Sequence, residues 1–396
     1  MKYVLFLVGI AFLVAVEIAR VYFIMPFPGS QEESSIELAY FLNNYIFWFR
    51  IVGIILIAYP AYFFLTKSKP TIKWTAITML AFWIMAAYAF NFRFLADKMF
   101  YQPENKILLT ADKNKVSNKK LVLGIYINGQ AKAYPIEIIG YHHQVRDTVG
   151  GQQVMVTYCT VCRSGRVYKP EVDGQIENFR LVGMDHFNAM FEDSRTKSWW
   201  RQVSGEAIVG PLKGKTLAEI PSEQMTLGAW LARYPESLIL QPDVKFTDQY
   251  AGLDKYDEGT IGGSLEGTDS LSWQNKSWVV GVSLGLFAKA YDWNELKEKR
   301  IINDELAGTP LVVVLESDTA SFHVWSRIVN SDTLNFIFSD SLKTFVDTKT
   351  NSVWNWQGRC IDGQFKDSSL TPIQSYQEFW HSWKTFHPNT TQYLKE

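Results

Sequence analysis

Three long apolar stretches occupy the first hundred residues of the chain, with short polar segments between them. They run approximately over residues 3–25, 44–66 and 74–92. The first stretch corresponds to about 34 Å of α-helix, which is enough to cross the ~30 Å hydrocarbon core of a bilayer. The pattern therefore predicts a membrane domain of residues 1–97 with three transmembrane helices, and a lipid bilayer as its partner.

Charged residues in and between the apolar stretches predict how the helices are arranged. The segment between the first two stretches carries three glutamates and no lysine or arginine. The short loop after the second stretch carries Lys67, Lys69 and Lys73. Because basic loops favour the cytoplasmic side, we expect a cytoplasmic N-terminus and an extracytoplasmic C-terminal region, periplasmic if the protein is bacterial. Glu17, Arg20 and Arg50 lie inside the stretches and are expected to pair with one another or with a neighbouring helix.

Alternating apolar and polar positions replace the long apolar stretches from Leu121 onward. Two such runs, LVLGIYI and QAKAYPI, flank Asn128-Gly129, a dipeptide typical of two-residue β-hairpin turns. A helix is predicted around residues 225–234, where Pro235 ends it. These patterns predict an α+β fold in which strands dominate.

A second copy of this strand pattern follows the first. The run AKAY occurs at residues 131–134 and again at 288–291, and several further residues match at the same offset. Self-similarity at a constant offset is typical of duplicated domains. We therefore expect a tandem repeat, with a first copy in residues 104–245 and a second, degenerate copy in residues 246–396.

Cys159 and Cys162 form the only C-x-x-C pair of the chain. β-Branched and aromatic residues precede the pair, and Ser164-Gly165 leads into another β-like run, so the pair is predicted to lie in a loop joining two strands. Two sulfurs are too few for a closed zinc site. Either further ligands come from elsewhere, or the pair works as a dithiol and disulfide. The second copy has Glu316 and Thr319 at these positions, which favours a functional role for the cysteines over a structural one.

Composition excludes two classes of protein. Lys and Arg number 39 against 40 Asp and Glu, and this near-neutral balance argues against binding to nucleic acid. Three cysteines are too few for a disulfide-dense secreted scaffold. What remains is a membrane-anchored protein whose chemistry centres on the cysteine pair.

Three blocks of sequence follow one another in an order typical of a known family. They are LGIYINGQAKAYPIEIIGYHHQVRDTVGG, QQVMVTYCTVCRSGRVY and SGEAIVGPLKG. Across residues 121–240 they resemble the domain-of-unknown-function 3179 family. The resemblance implies a histidine beside the cysteines, which falls on His142, and acidic residues at Asp147 and Glu206. It implies no reaction, and this chain has Arg163 where relatives have a glycine after the second cysteine.

Three hypotheses for the cysteine pair remain open, and only some of them make the protein an enzyme. In the first, Cys159 and Cys162 cycle between dithiol and disulfide with a membrane or extracytoplasmic redox partner. Arg163 would then favour the thiolate, His142 would accept the proton, and Glu206 is a candidate general acid. In the second, the two sulfurs and His142 bind copper or zinc as an open three-ligand site. In the third, the pair is a permanent disulfide in a non-enzymatic, membrane-anchored interaction domain.

A reporter fused to the C-terminus tests the predicted orientation. We expect activity from a reporter that works only outside the cytoplasm, because the basic loop retains the opposite ends of the helices in the cytoplasm. The same reporter inserted after Lys69 is the matched control and should be inactive. A C-terminal fusion that behaves as cytoplasmic would contradict the predicted topology.

Overall fold

The computed structural model describes residues 1–33 and 35–394 as an α+β protein with many small sheets and a strand-rich C-terminal region. The chain forms two compact units. The first unit combines Met1–Tyr101 with Ile176–Thr216, and the second combines Gln102–Gln175 with Leu217–Glu396. Each unit is therefore built from two separate stretches of sequence.

The helices and strands of the described residues follow one another in this order. The helices are α1 Lys2–Tyr22, α2 Ile36–Lys67, α3 Pro70–Phe92, α4 Ala96–Met99, α5 Ile136–His142, α6 Leu227–Arg233, α7 Thr247–Ala251, α8 Trp293–Lys299 and α9 Trp380–Phe386. The strands up to residue 245 are β1 Leu108–Leu109, β2 Leu121–Ile127, β3 Gln130–Pro135, β4 Gln144–Val149, β5 Gln152–Cys159, β6 Ser164–Tyr168, β7 Glu171–Val172, β8 Gln175–Ile176, β9 Phe179–Asp185, β10 Asn188–Asp193, β11 Trp199–Arg201, β12 Ala207–Val209, β13 Glu223–Thr226 and β14 Leu238–Leu240. The later strands are β15 Trp278–Leu284, β16 Phe287–Asp292, β17 Ile301–Leu306, β18 Thr309–Leu315, β19 Phe322–Ser326, β20 Ile328–Val329, β21 Asp332–Thr333, β22 Phe336–Ser339, β23 Thr344–Asp347, β24 Val353–Trp354, β25 Cys360–Asp362, β26 Ser375–Phe379 and β27 Thr391–Gln392.

Three helices of the first unit, α1, α2 and α3, are long and apolar enough to cross a membrane. Large apolar side chains on α2 point outward, and Phe47, Trp48 and Ile55 are each more than half exposed. Such a surface is unfavourable in water and suits a lipid environment. The helix α2 begins at Ile36, earlier than the expected residue 44, because the helical backbone continues beyond the apolar stretch that marked it.

A cluster of polar side chains joins the three helices inside this bundle. The Arg50 guanidinium donates to both carboxylate oxygens of Glu17, at 2.6 and 2.8 Å. Asn91 donates to Glu17 at 2.9 Å, and Arg20 donates to the Asn91 side-chain oxygen at 2.7 Å. Glu17 is fully buried. The charges thus pair between helices, as expected from the sequence.

A four-stranded sheet, β12-β11-β10-β9, completes the first unit. The Met184 amide on β9 donates to the Ile24 carbonyl just after α1, at 2.7 Å. The Tyr40 ring near the start of α2 packs edge-on against Trp199 on β11, with centroids 5.1 Å apart. This sheet therefore lies at the end of the bundle where α1 ends and α2 begins.

The second unit contains two sheets with the same kind of strand order. One is β1-β14-β3-β2-β13, and the other is β26-β15-β16-β27. The hairpin of β2 and β3 turns at Asn128-Gly129, where both residues have positive φ, as the sequence predicted. Helix α6 follows β13 and confirms the predicted helix before Pro235.

Two matching sets of contacts occur in these sheets. Lys132 and Tyr134 on β3 both donate to Asp147 on β4, at 3.0 and 2.8 Å. In the later part of the unit the same three residue types are in contact. These are Lys289 and Tyr291 on β16 and Asp304 on β17, at 2.7 and 2.9 Å. In both places, two side-chain donors bind an aspartate that lies on the first strand of the neighbouring sheet.

The pairing of the buried Glu17 with the partly exposed Arg50 makes a prediction about stability. Glu17→Gln leaves the Arg50 cation without its carboxylate, so we expect a loss of about 3 kcal/mol in the free energy of unfolding. Arg50→Gln should cost a similar amount, while the double variant should cost clearly less than the two losses added. Unfolding by denaturant in detergent micelles measures all three, and simple additivity would contradict the direct pairing.

Candidate functional site

The cysteine pair lies at the tip of a β-hairpin. Strand β5 ends at Cys159, the turn contains Cys162, and β6 begins at Ser164, which pairs with Cys159. The Arg163 amide closes the turn by donating to the Thr160 carbonyl at 3.3 Å. The predicted loop joining two strands is therefore confirmed.

Both cysteines are fully buried, and both are present as thiols. Their side chains hydrogen-bond to one another. Burial raises the pKa of the Cys162 thiol well above its ordinary value, and the neighbouring Cys159 raises it further. Cys162 is therefore a protonated thiol at neutral pH, and its thiolate forms only with help from surrounding charges.

The later part of the second unit covers this hairpin tip. The Phe379 amide, at the end of β26, donates to the Cys162 carbonyl at 2.9 Å. The His381 Nε2 atom on α9 lies 3.1 Å from the Val161 carbonyl oxygen. The Val161 and Cys162 carbonyls of the C-x-x-C loop therefore have partners about two hundred residues away in the sequence. These contacts hold the loop in one conformation.

Lys276 is the charged residue closest to the chemistry, and sequence reasoning missed it. Its ammonium group donates to the carbonyls of Val161 and Leu265, both at 2.6 Å. Burial lowers the pKa of Lys276, while Cys162 and Cys159 act in the opposite direction. An ammonium group that interacts with both sulfurs stabilises a thiolate on either of them. No local pattern marks this lysine, because only the folding of a distant loop brings it to the cysteines.

A buried ion pair is connected to the cysteines through Ser382. Arg166 on β6 and Glu378 on β26 form a salt bridge at 2.5 Å, and both side chains are almost fully buried. The Ser382 hydroxyl donates to the second oxygen of Glu378 at 2.8 Å, and it also hydrogen-bonds to Cys162, which lowers the pKa of that thiol. The hairpin and helix α9 are thus joined by one connected set of polar contacts.

His381 was expected to be structural or exposed, yet it lies against the cysteine loop. Burial and, to a smaller extent, the nearby Lys276 cation lower the pKa of His381 to about 4. The imidazole is therefore neutral at pH 7. The ring therefore adds no positive charge beside Lys276.

The guanidinium of Arg163 contacts residues that surround the hairpin. It donates to Gln377 at 2.8 Å and to the Tyr256 carbonyl at 3.1 Å, and it stacks over the Trp278 ring at 3.6 Å. Its backbone has φ of +55°, a left-handed conformation that costs a non-glycine residue about 1 kcal/mol. The side-chain contacts offset that cost at a position where the resemblance places a glycine. Whether Arg163 also favours a thiolate stays a prediction.

The two adjacent histidines lie beside the end of β5. His142 ends helix α5, and His143 follows it in a left-handed conformation, so neither lies on a strand. The His143 carbonyl accepts from the Tyr158 amide at 3.0 Å, one residue before Cys159. The His142 Nε2 atom lies 2.6 Å from the Tyr250 hydroxyl. Its role as a proton acceptor stays a prediction.

The two acidic residues implied by the resemblance have separate positions. Asp147 binds Lys132 and Tyr134 in the sheet contacts described above. Glu206 belongs to the first compact unit, whereas the cysteines belong to the second. Glu206 is 3.7 Å from Arg201 and is partly exposed. Its role as a general acid stays a prediction.

The described residues were also compared with the requirements of a metal site. Among them, no group of three or more His, Cys, Asp or Glu side chains is placed to hold a metal ion. Metal binding by the pair of sulfurs with His142 stays a prediction.

Comparison with known proteins gives one match. A family model described as "Protein of unknown function (DUF3179)" matches residues 102–390. The matched range is longer than the 121–240 that the sequence blocks suggested, and it includes the later part of the second unit. Neither the curated proteins nor the solved structures that were compared gave a match.

Replacing Lys276 tests its influence on the sulfurs. Lys276→Met removes a cation that interacts with both cysteines, so we expect the pKa of the thiols to rise and the thiolate absorbance to appear at higher pH. Lys276→Arg should restore most of the wild-type titration curve. Lys384→Met, on the exposed face of α9, is the matched control, and a titration curve unchanged by Lys276→Met would refute the assignment.

Proposed function

The chain belongs to the DUF3179 family of proteins of unknown function, and from its own site we propose that it is a membrane-associated thiol redox protein. In this proposal Cys159 and Cys162 cycle between a dithiol and a disulfide. The observation that carries the proposal is the contact between the two thiols at one hairpin tip, with the Lys276 ammonium interacting with both.

The reaction that this arrangement supports is thiol–disulfide exchange. Because both sulfurs are fully buried, exchange requires that the segments covering the hairpin tip first move away from it. The Cys159 thiolate then attacks one sulfur of a partner's disulfide, which releases the other partner sulfur as a thiolate and leaves a mixed disulfide. Cys162 then loses its proton and attacks Cys159, forming the Cys159–Cys162 disulfide and releasing the second partner thiol. Two electrons and two protons pass from this chain to the partner, and the reverse sequence reduces the pair again.

The order of attack is assigned from the pKa of the Cys162 thiol. Burial and the neighbouring sulfur disfavour a thiolate at Cys162, so Cys162 suits the second, intramolecular step. In that step the high local concentration of the mixed disulfide compensates for a weakly ionised thiol. Lys276 stabilises the developing negative charge in both steps.

The helices support a membrane location for this chemistry. Three helices are long and apolar enough to span a bilayer, and the loop between α2 and α3 is basic. By the positive-inside rule, that loop is cytoplasmic and the chain after α3 is extracytoplasmic. An extracytoplasmic compartment is oxidising enough to form and keep a disulfide.

We further propose that the second unit arose by duplication. The matching strand orders and the matching contacts of Asp147 and Asp304 support this origin. In the later copy Glu316 and Thr319 replace the cysteines. Under this proposal that copy lost the redox pair and now covers the hairpin of the earlier one.

Mass-tag labelling of the thiols tests the redox proposal. Full-length protein is equilibrated at a series of glutathione ratios, quenched in acid and labelled with a polyethylene-glycol maleimide. We expect two thiols to disappear together as the poise becomes oxidising, and to return with reductant, because the two sulfurs are in contact. Cys159→Ser and Cys162→Ser should each abolish this transition.

Cys360→Ser provides the matched control. Cys360 is also fully buried, but it lies on β25 and its sulfur contacts the Asp362 carbonyl at 3.3 Å. Its replacement should remove one labelled thiol at every poise and leave the two-thiol transition in place. Cysteines 159 and 162 that stay reduced at every poise would exclude the proposed function.

A further inference from the structure

A cavity lies in the second unit, away from the cysteine hairpin tip. Its volume is about 380 Å³, within the range of small-molecule sites. Strands β2 and β13 form one side, and β19 with the segment before β26 forms the other. None of residues 159–163 lines it. The side chains that matter for recognition are Tyr126, Glu223, Gln224, His323, Trp325 and Gln374.

The charges around this cavity balance. Arg233 donates to the Glu223 carboxylate at 2.5 Å, and His323 lies 3.7 Å from the same carboxylate and 2.7 Å from Glu316. Burial alone would lower the pKa of His323, but the two carboxylates outweigh it and raise the pKa. Each of the two carboxylates therefore already has a basic side chain beside it, and neither faces the cavity as an unpaired anion that would attract a cationic ligand.

The wall between the charged groups is rich in hydrogen-bonding side chains. Gln224 and Gln374 line the cavity together with Ser222 and Ser375. The same four residues continue into a small adjoining cavity, which Gln377 also lines. The Gln377 Nε2 donor is buried and has no hydrogen-bond partner among the described residues. The Gln224 and Gln374 amides already donate to Gln377 and to the Ser222 carbonyl. A ligand hydroxyl would therefore bond to Gln224 Oε1, to the serine hydroxyls or to Gln377 Nε2, and these existing contacts would stay in place.

A pair of aromatic rings extends this surface. Tyr126 and Tyr234 stack with centroids 4.9 Å apart and an interplanar angle of 20°. Both rings also line a neighbouring cavity of about 510 Å³ on the other side. Tyr126 is 53% exposed, so its ring is available to a ligand that reaches from one cavity into the other.

From these contacts we propose that this cavity binds a neutral, polyhydroxylated ligand of the saccharide class. The ionised Glu223 carboxylate accepts from ligand hydroxyl groups, the glutamine and serine side chains bind further hydroxyls, and Tyr126 packs against the apolar face of the sugar ring. A cationic ligand is disfavoured by His323 and Arg233. An anionic ligand is disfavoured by Glu223 and Glu316, so the paired charges select for neutrality.

Titration calorimetry on the full-length protein in detergent tests this site, with maltose, cellobiose and N,N′-diacetylchitobiose as probes. We expect at least one of them to bind with a Kd below about 10 mM, the weak range of about −3 kcal/mol. Glu223→Gln removes a charged hydrogen-bond acceptor and should weaken binding at least about tenfold. Tyr126→Ala should weaken binding of the same saccharide. Because Tyr126 is exposed, this replacement should leave the fold intact.

Phe287→Ala is the matched control, since Phe287 is an exposed aromatic residue on a strand outside the cavity. It should leave saccharide binding unchanged, as should Cys159→Ser, because the cavity is separate from the hairpin tip. Three outcomes would overturn the proposal. They are absence of binding by all three saccharides, binding unaffected by both cavity variants, and tighter binding of the charged probes spermidine or citrate.

Discussion

The arrangement of the cysteine site depends on hydrogen bonds that the C-x-x-C loop receives from far along the chain. The carbonyls of Val161 and Cys162 accept from Lys276 and Phe379, and His381 lies at hydrogen-bond distance from the first of them. A hydrogen bond from a charged donor contributes about 1.5–3 kcal/mol, and each buried carbonyl left without a partner costs a similar amount. The loop that presents both sulfurs is therefore stable only while the later part of the unit is folded against it.

The same contacts connect structure with chemistry. Because Lys276 binds the loop carbonyl, its ammonium group is held where it interacts with both sulfurs. The buried pair of Arg166 and Glu378 fixes β6 against β26 and positions Ser382 beside Cys162. Buried ion pairs add little net stability on average, since desolvation offsets their attraction. In this protein, the ion pair of Arg166 and Glu378 positions the polar groups that lie beside the sulfurs.

Local patterns in the sequence predicted those elements whose causes are local. The Asn128-Gly129 turn, the hairpin that carries Cys159 and the three apolar helices follow from alternation, turn chemistry and run length. The neighbours of the cysteines did not follow, because Lys276 and His381 come from distant segments with no pattern of their own. The short helix that follows β3 and ends at His142 was not predicted either.

The grouping of residues 176–216 with the N-terminal helices has a consequence for how the protein is made. The ribosome delivers the start of the second unit, then a segment that belongs to the first, and then the remainder. That inserted sheet carries fully or nearly fully buried side chains such as Met190, Trp199 and Trp200, and Trp199 packs against Tyr40 of α2. A fragment cut after α3 to obtain a water-soluble protein would keep this sheet but lose the surface that shields it, and would present fresh apolar area for self-association.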